Sequence, residues 1–176
     1  ILEVLNVIQE NNIKSPHIEV ILTVCEEIGL MGAKHLDYSM IDAGFGYILD
    51  STDTEGIVTR APSANKITIK VFGRAAHAGA APETGIDAIA VASNTISALE
   101  LGRIDDVTTC NLGTIQGGVA TNIVPEYVEI HGEARSHDTD MLDQVTRGIV
   151  EAFENAAKKF EDGTGYPKIE AEIELD

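Results

Sequence analysis

The sequence predicts an α/β chain in two parts. Residues 1–60 read as a partial parallel-strand segment, and residues 61–176 as a strand-helix-strand-strand-helix-strand domain. Three observations predict this. Residues 18–25 form a β-branched, nearly continuous apolar run, as expected of a strand covered on both faces. Residues 66–71 alternate with a period of two, with Ile67, Ile69 and Val71 on one face. Two helical stripes follow: Ile86, Ile89, Ala90, Ile96 and Leu99 within residues 85–101, and Leu142, Val145, Ile149, Phe153 and Phe160 after residue 138.

Taken in order, the chain opens on an amphipathic helix with Leu2, Leu5 and Ile8 or Gln9 at helical spacing, broken by Asn11-Asn12. It starts with Ile rather than Met and without a cap, and its end stops at a strand edge, so the sequence is expected to be a fragment. The strand at 18–25 is followed by a short helix within 28–37 and a second strand at 45–50. Short joints of this kind imply a right-handed crossover between parallel strands. Residues 59–65 read as a linker or domain crossing. Beyond it come a strand at 66–71, a Gly/Ala-rich loop, the helix at 85–101 and a strand at 107–116. Gly117-Gly118 then leads to a strand at 127–134, a helix capped by Asp138 or Asp140, a turn at 163–167 and a last strand from Ile169. That order is the ferredoxin-like βαββαβ pattern, a four-stranded antiparallel sheet with both helices on one face. Its second and fourth strands are the edges. The fourth carries Glu170, Glu172 and Glu174, which discourage edge pairing; the second is uncharged from Val107 to Gln116 and invites a homodimer, with the helix at 85–101 beside it. The competing account is a short, twisted, hydrated edge.

The 176 residues hold 12 Lys+Arg and 29 Asp+Glu, a formal balance of 12 − 29 = −17. Such a charge repels phosphate backbones and anionic lipid, so neither nucleic acid nor membrane is an expected partner. Aromatics are 5% and Trp is absent, which argues against base-stacking platforms. No apolar run is long enough to cross a bilayer and no basic-then-apolar leader opens the chain. Cys25 and Cys110 lie far apart in apolar stretches and read as two reduced, buried thiols, so a cytoplasmic location is expected.

Chemistry concentrates at a few places. Glu26-Glu27 ends the first predicted parallel strand and Asp50 ends the second, where open α/β sheets bind ligands. A converging carboxylate cluster repels itself and needs a cation, protons or water, and a divalent metal is the natural answer. Adjacent glutamates point different ways, so one suits a ligand and the other a base acting on metal-bound water. The ordinary account is that Glu26-Glu27 complements a helix dipole and Asp50 starts a turn, with Asp53 and Glu55 as rival carboxylates; spacing alone favours it. His77 lies among residues too small to form a core, in a functional loop or simply in solvent. Asn122 is a polar residue in a glycine-led turn. Arg135 ends a strand, either to grip a carboxylate bidentately or to pair with Glu133 or Asp138. His17, His35, His131 and His137 lack a ligand-like setting.

As a set, these motifs resemble the peptidase T-like tripeptidases. They are Thr23-Val24-Cys25-Glu26-Glu27-Ile28-Gly29-Leu30-Met31-Gly32-Ala33, Leu49-Asp50-Ser51, Gly73-Arg74-Ala75-Ala76-His77-Ala78-Gly79, Gly117-Gly118-Val119-Ala120-Thr121-Asn122-Ile123-Val124-Pro125 and Gly132-Glu133-Ala134-Arg135. That group belongs to the dinuclear zinc exopeptidase superfamily, with carboxypeptidase G and aminoacylase. The resemblance covers nearly the whole chain in order. It implies part of a catalytic domain over 1–60 and a lid, or dimerisation, domain over 61–176. It implies Glu26 as the general base, Glu27 and Asp50 as ligands of the two zinc ions (cobalt or manganese being substitutes), and His77 as the lid histidine that reaches a partner subunit's site. Asn122 and Arg135 match lid positions near a short peptide substrate, with Arg135 the anchor for its carboxylate.

The superfamily's upstream His-x-Asp motif, bridging aspartate and downstream histidine have no counterpart here. The 176 residues alone are therefore expected to bind zinc weakly and to leave peptides intact. Two other readings compete: a non-catalytic dimerisation or small-ligand-binding βαββαβ module, and an amidohydrolase acting on acylated amino acids.

Overall fold

The computed structural model describes residues 1–50 and 56–175. The chain divides into two compact units, Ile1–Gly56 and Ile57–Asp176. Asp53, Glu55 and the turn that follows Asp50 lie outside the described residues.

In the first unit, helix α1 spans Leu2–Glu10, with Leu5 and Ile8 its less exposed positions. It ends at Asn11-Asn12, Asn12 adopting a φ of 49°. The expected parallel strands are corrected by the structure: among the described residues this unit holds no strand. Only a short helix α2, Met31–Lys34, and a 3-10 turn, Tyr38–Met40, fall where the second helix was expected and just beyond it. β-branched composition favours a pleated, half-buried surface but makes no strand without a neighbouring ladder. The first run is tied to the residues just before the second through Glu19, whose carboxylate accepts the backbone amides of Asp42 (3.2 Å) and Ala43 (2.9 Å). Those two amides hold its carboxyl below the usual carboxylate range. Leu22 and Ile48 are left 81% and 92% exposed.

The second unit carries the predicted βαββαβ core. Strands β1 (Ser63–Phe72), β2 (Gly102–Arg103), β3 (Thr108–Gly117), β4 (Tyr127–Ser136) and β5 (Lys168–Leu175) form one antiparallel sheet in the order β2-β3-β4-β1-β5. Helices α3 (Ala88–Ser97) and α4 (Thr139–Phe160) pack on one face. Period-two alternation sends Ile67, Ile69 and Val71 of β1, with Val128, Ile130 and Ala134 of β4, into a core shared with Val91, Leu142, Ile149 and Phe153 of the helices. Two polar pairs are sealed in it. Asn65 Nδ2 donates to Thr146 Oγ1 at 3.0 Å, and the hydroxyls of Thr108 and Ser136 meet at 2.8 Å. Asp138 caps α4, accepting the amides of Asp140 (2.9 Å) and Met141 (3.2 Å), and Asp87 caps α3 through Ala90 (2.9 Å).

α3 is shorter than the 85–101 stripe predicts because its first residues are engaged elsewhere. The Ile86 amide and carbonyl pair with Arg74, both at 2.9 Å. At the other end Gly102, at a φ of 90°, starts β2, an extra strand that covers the outer side of β3 at Thr109 and Cys110. The uncharged edge is therefore open only beyond Cys110, and a bulge between Leu112 and Thr114 twists it. Both cysteines are free; Cys110 is buried, as expected, whereas Cys25 is exposed. Cys25 stands at a φ of 59° on a turn rather than inside a strand.

The sheet face away from the helices is polar and paired in register. Lys66 lies between Glu133 and Glu174, Lys70 between Glu129 and Glu170, and Thr68 between His131 and Glu172. His131, on this exposed face, bridges Thr68 Oγ1 (3.1 Å) and Glu129 Oε1 (2.9 Å). No helix among the described residues is long and apolar enough to cross a membrane.

Candidate functional site

Glu26 and Glu27 sit on a tight turn closed by three backbone bonds: Leu30 to Glu26 O at 3.0 Å, Met31 to Cys25 O at 3.2 Å and Gly32 to Val24 O at 3.0 Å. Cys25 and Leu30 both have positive φ, an uncommon conformation for residues with a side chain that concentrates at sites under functional constraint. A Cβ on Gly32 would stand 2.4 Å from the Val24 carbonyl oxygen, so the turn needs glycine there. The turn presents both glutamates to solvent, and Asp50 is exposed as well. Among the described residues, no group of three or more His, Cys, Asp or Glu is gathered where it would hold a metal ion. Zinc sites take at least three protein ligands, so Glu27 and Asp50 by themselves do not make one.

In the second unit the structure brings His77 and Asn122 together. Their loops, 73–87 and 117–126, run antiparallel. The Ala78 amide donates to Asn122 O and the Val124 amide to Ala76 O, each at 2.9 Å, and His77 faces Ile123 as an isolated bridge. Both side chains are exposed. The backbone amide of Gly79 donates to Nδ1 of His77 at 3.1 Å, which leaves the ring proton on Nε2 in the neutral form. The histidine therefore points a donor outward. Beside it opens a hollow of about 540 Å³, lined in part by Ala78, Ile89, Val119, Thr121 and Ile123. Ile89, Val119 and Ile123 are 39%, 82% and 36% exposed, an apolar surface that sequence reading missed.

Arg135 lies elsewhere. It pairs with Ala64 near one end of β1, whereas Val71 and Val128 pair near the end from which the His77 loop departs. Seven residues separate these positions, about 24 Å at about 3.4 Å per residue. Its guanidinium grips Glu133 through Nε (3.0 Å) and Nη2 (2.9 Å), one of the two arrangements expected for it.

Sequence reading also missed the role of Arg74. Its guanidinium donates to Thr84 O (2.6 Å), Thr164 Oγ1 (2.8 Å) and Asp162 Oδ2 (2.6 Å). The Thr164 hydroxyl and the Arg74 guanidinium bring the Asp162 carboxyl down to about 2. The available signals were the arginine three residues before His77 and an Asp-Gly-Thr turn after the long helix.

Residues 62–161 match the model of the peptidase dimerisation domain. The chain belongs to that family. The chain is also similar, over nearly all its length, to solved peptidases. It superposes on the aminopeptidase PepT from Bacillus cereus with a TM-score of 0.91 and 42% identity, covering 98% of this chain and 45% of that one. A tripeptidase from Staphylococcus aureus gives a TM-score of 0.87 at 36% identity, covering 99% of this chain and 45% of that one. The uncharacterized protein YqjE of Bacillus subtilis is 46% identical over 172 residues, which are 97% of this chain and 46% of YqjE. The dimerisation-domain chain thus spans less than half the length of these relatives.

Proposed function

We propose that this chain serves a cytoplasmic, metal-dependent peptidase of short peptides, supplying its dimerisation domain and an adjoining catalytic segment, and that it works as a homodimer. The observation that carries this reading is the similarity of nearly the whole chain to an aminopeptidase and a tripeptidase at 42% and 36% identity.

In this reading Glu26 is the general base, Glu27 and Asp50 each contribute to one of two zinc sites, and His77 assists from the partner subunit. Zinc would supply an activated water and polarise the scissile carbonyl. The chain's own residues do the rest. An Nε2–H held outward by the Gly79 amide suits a donor to a developing oxyanion. Asn122, on the loop hydrogen-bonded to that of His77, would meet the same peptide. Arg135 would take a peptide carboxylate only by releasing Glu133. Dimerisation would use the open part of β3 beside α3.

The test is a hybrid in which this chain replaces the matching stretch of the Bacillus cereus aminopeptidase. The hybrid is expected to cleave tripeptides, and Glu26→Gln and His77→Ala to lower kcat by about a hundredfold or more. Full activity in both variants overturns the assignment. A second reading, a dimerisation module without catalysis of its own, fits the 176 residues in isolation, since their described part gathers no metal-ligand cluster. Tripeptide cleavage by the isolated chain would exclude it.

A further inference from the structure

We propose that Arg74 and Asp162 are positioning residues for His77, their ion pair tying the loop that carries the histidine to the turn after α4. The proposal rests on the function above for its effect on turnover, and on geometry alone for its effect on the loop.

The loop at 73–87 is held on one side by backbone bonds to the 117–126 loop: Gly73 to Glu126 O at 2.8 Å, Ala78 to Asn122 O and Val124 to Ala76 O, both at 2.9 Å. On the other side the contacts run through Arg74. Its Nη2 meets Asp162 and its Nη1 meets Thr164, while Nε donates to the Thr84 carbonyl. The Thr84 hydroxyl then donates to Ala81 O at 2.8 Å, and the Ala81 amide to His77 O at 3.0 Å. An unbroken hydrogen-bonded path therefore links Asp162 to the backbone of His77. The rigid guanidinium fork serves three acceptors in fixed directions, which a lysine ammonium on a flexible stem does not reproduce. The Arg74 and Asp162 side chains are 33% and 38% exposed, and pairs of that kind stabilise a fold little. The contacts matter for where the loop sits rather than for whether the domain folds.

The experiment uses the 176-residue chain and its Arg74→Ala, Arg74→Lys and Asp162→Asn variants. Nitrogen-15 spectra of the His77 ring and hydrogen exchange of the Gly79 amide are recorded beside thermal unfolding. The expected result is a melting temperature close to the parent's in every variant. Gly79 is expected to exchange about tenfold faster and the ring to become a mixture of tautomers, without rescue by lysine. An unchanged ring signature and unchanged Gly79 protection in Asp162→Asn overturn the proposal. Should Arg74→Ala unfold the chain, the shape-conserving Asp162→Asn decides alone. In the Bacillus cereus hybrid, Asp162→Asn is expected to lower kcat by about ten- to a hundredfold at constant KM. Loss of activity in His77→Ala with none in Asp162→Asn counts against the clamp. No loss in His77→Ala removes the histidine's catalytic role, while the spectra still judge the clamp.

Discussion

The Gly79 amide is aimed at Nδ1 of His77, 3.1 Å away, across a single intervening alanine. A donor so placed selects one tautomer of the neutral ring. Spectra of the uniformly labelled chain at pH 8 should show His77 with an unprotonated Nδ1 and a protonated Nε2. A ring protonated at Nδ1 would contradict the structure.

Asp162 should titrate far below a free aspartate, with its midpoint near 2 rather than 3.8. A depressed carboxyl favours the folded state when ionised. Its contribution is complete above the unfolded value and fades as pH falls from about 4 through 2. Carbon-13 spectra of the side-chain carboxyl check the midpoint. Because the pair is solvent-exposed, urea unfolding of the parent and Asp162→Asn should differ only slightly above pH 4, and that small difference should fade as pH falls through 2.

Gly73 has no room for a side chain. A Cβ there would lie 2.1 Å from the Ile86 carbonyl oxygen, inside the backbone pairing between Arg74 and Ile86. Gly73→Ala should cost about 1–3 kcal/mol by denaturant unfolding, because backbone rather than a flexible side chain must move.

The buried amide of Asn65 depends on Thr146. Thr146→Val keeps the volume but leaves Asn65 Nδ2 without its acceptor, and should destabilise the second unit by about 1–3 kcal/mol in the same assay.

Light scattering of the chain should report a dimer. Ile115, half-exposed on β3 past the stretch covered by β2, is the position to challenge. Ile115→Lys should weaken association by about tenfold, since it sets a charge on the edge that pairing must desolvate. A parent that stays monomeric at high concentration removes the β3 interface from the proposed function.

The parts of the fold legible in the sequence are those whose two faces differ. β1 and β4 alternate, α4 shows its stripe, and Asp138 announces its start, because each of these elements meets core on one side and water on the other; β5 alternates in sequence although only Ile169 packs against the core. Residues 18–25 and 45–50 carry strand-like composition with the same clarity, yet a strand is a property of two chains of hydrogen bonds and not of one. β2 was hidden because two residues carry no period. At the candidate site, His77 and Asn122 were legible from their small-residue loops. That they share one backbone pairing was not, since nothing local in the sequence encodes a contact between residues 45 positions apart. The role of Arg74 was not legible, because Asp162 and Thr164 lie 88 and 90 residues downstream.

The glutamates of β5 bear on more than its pairing with β1. Two copies meeting along β5 would set rows of like charge against each other, while the lysines that neutralise those rows lie inward on β1. A sheet with two receptive sides can add subunits without end and grow into a filament; one with a single receptive side stops once that side is shared about a twofold axis. With β3 as the shared side, as proposed above, Glu170, Glu172 and Glu174 would keep β5 unreceptive, and neutralising all three is expected to favour open-ended association.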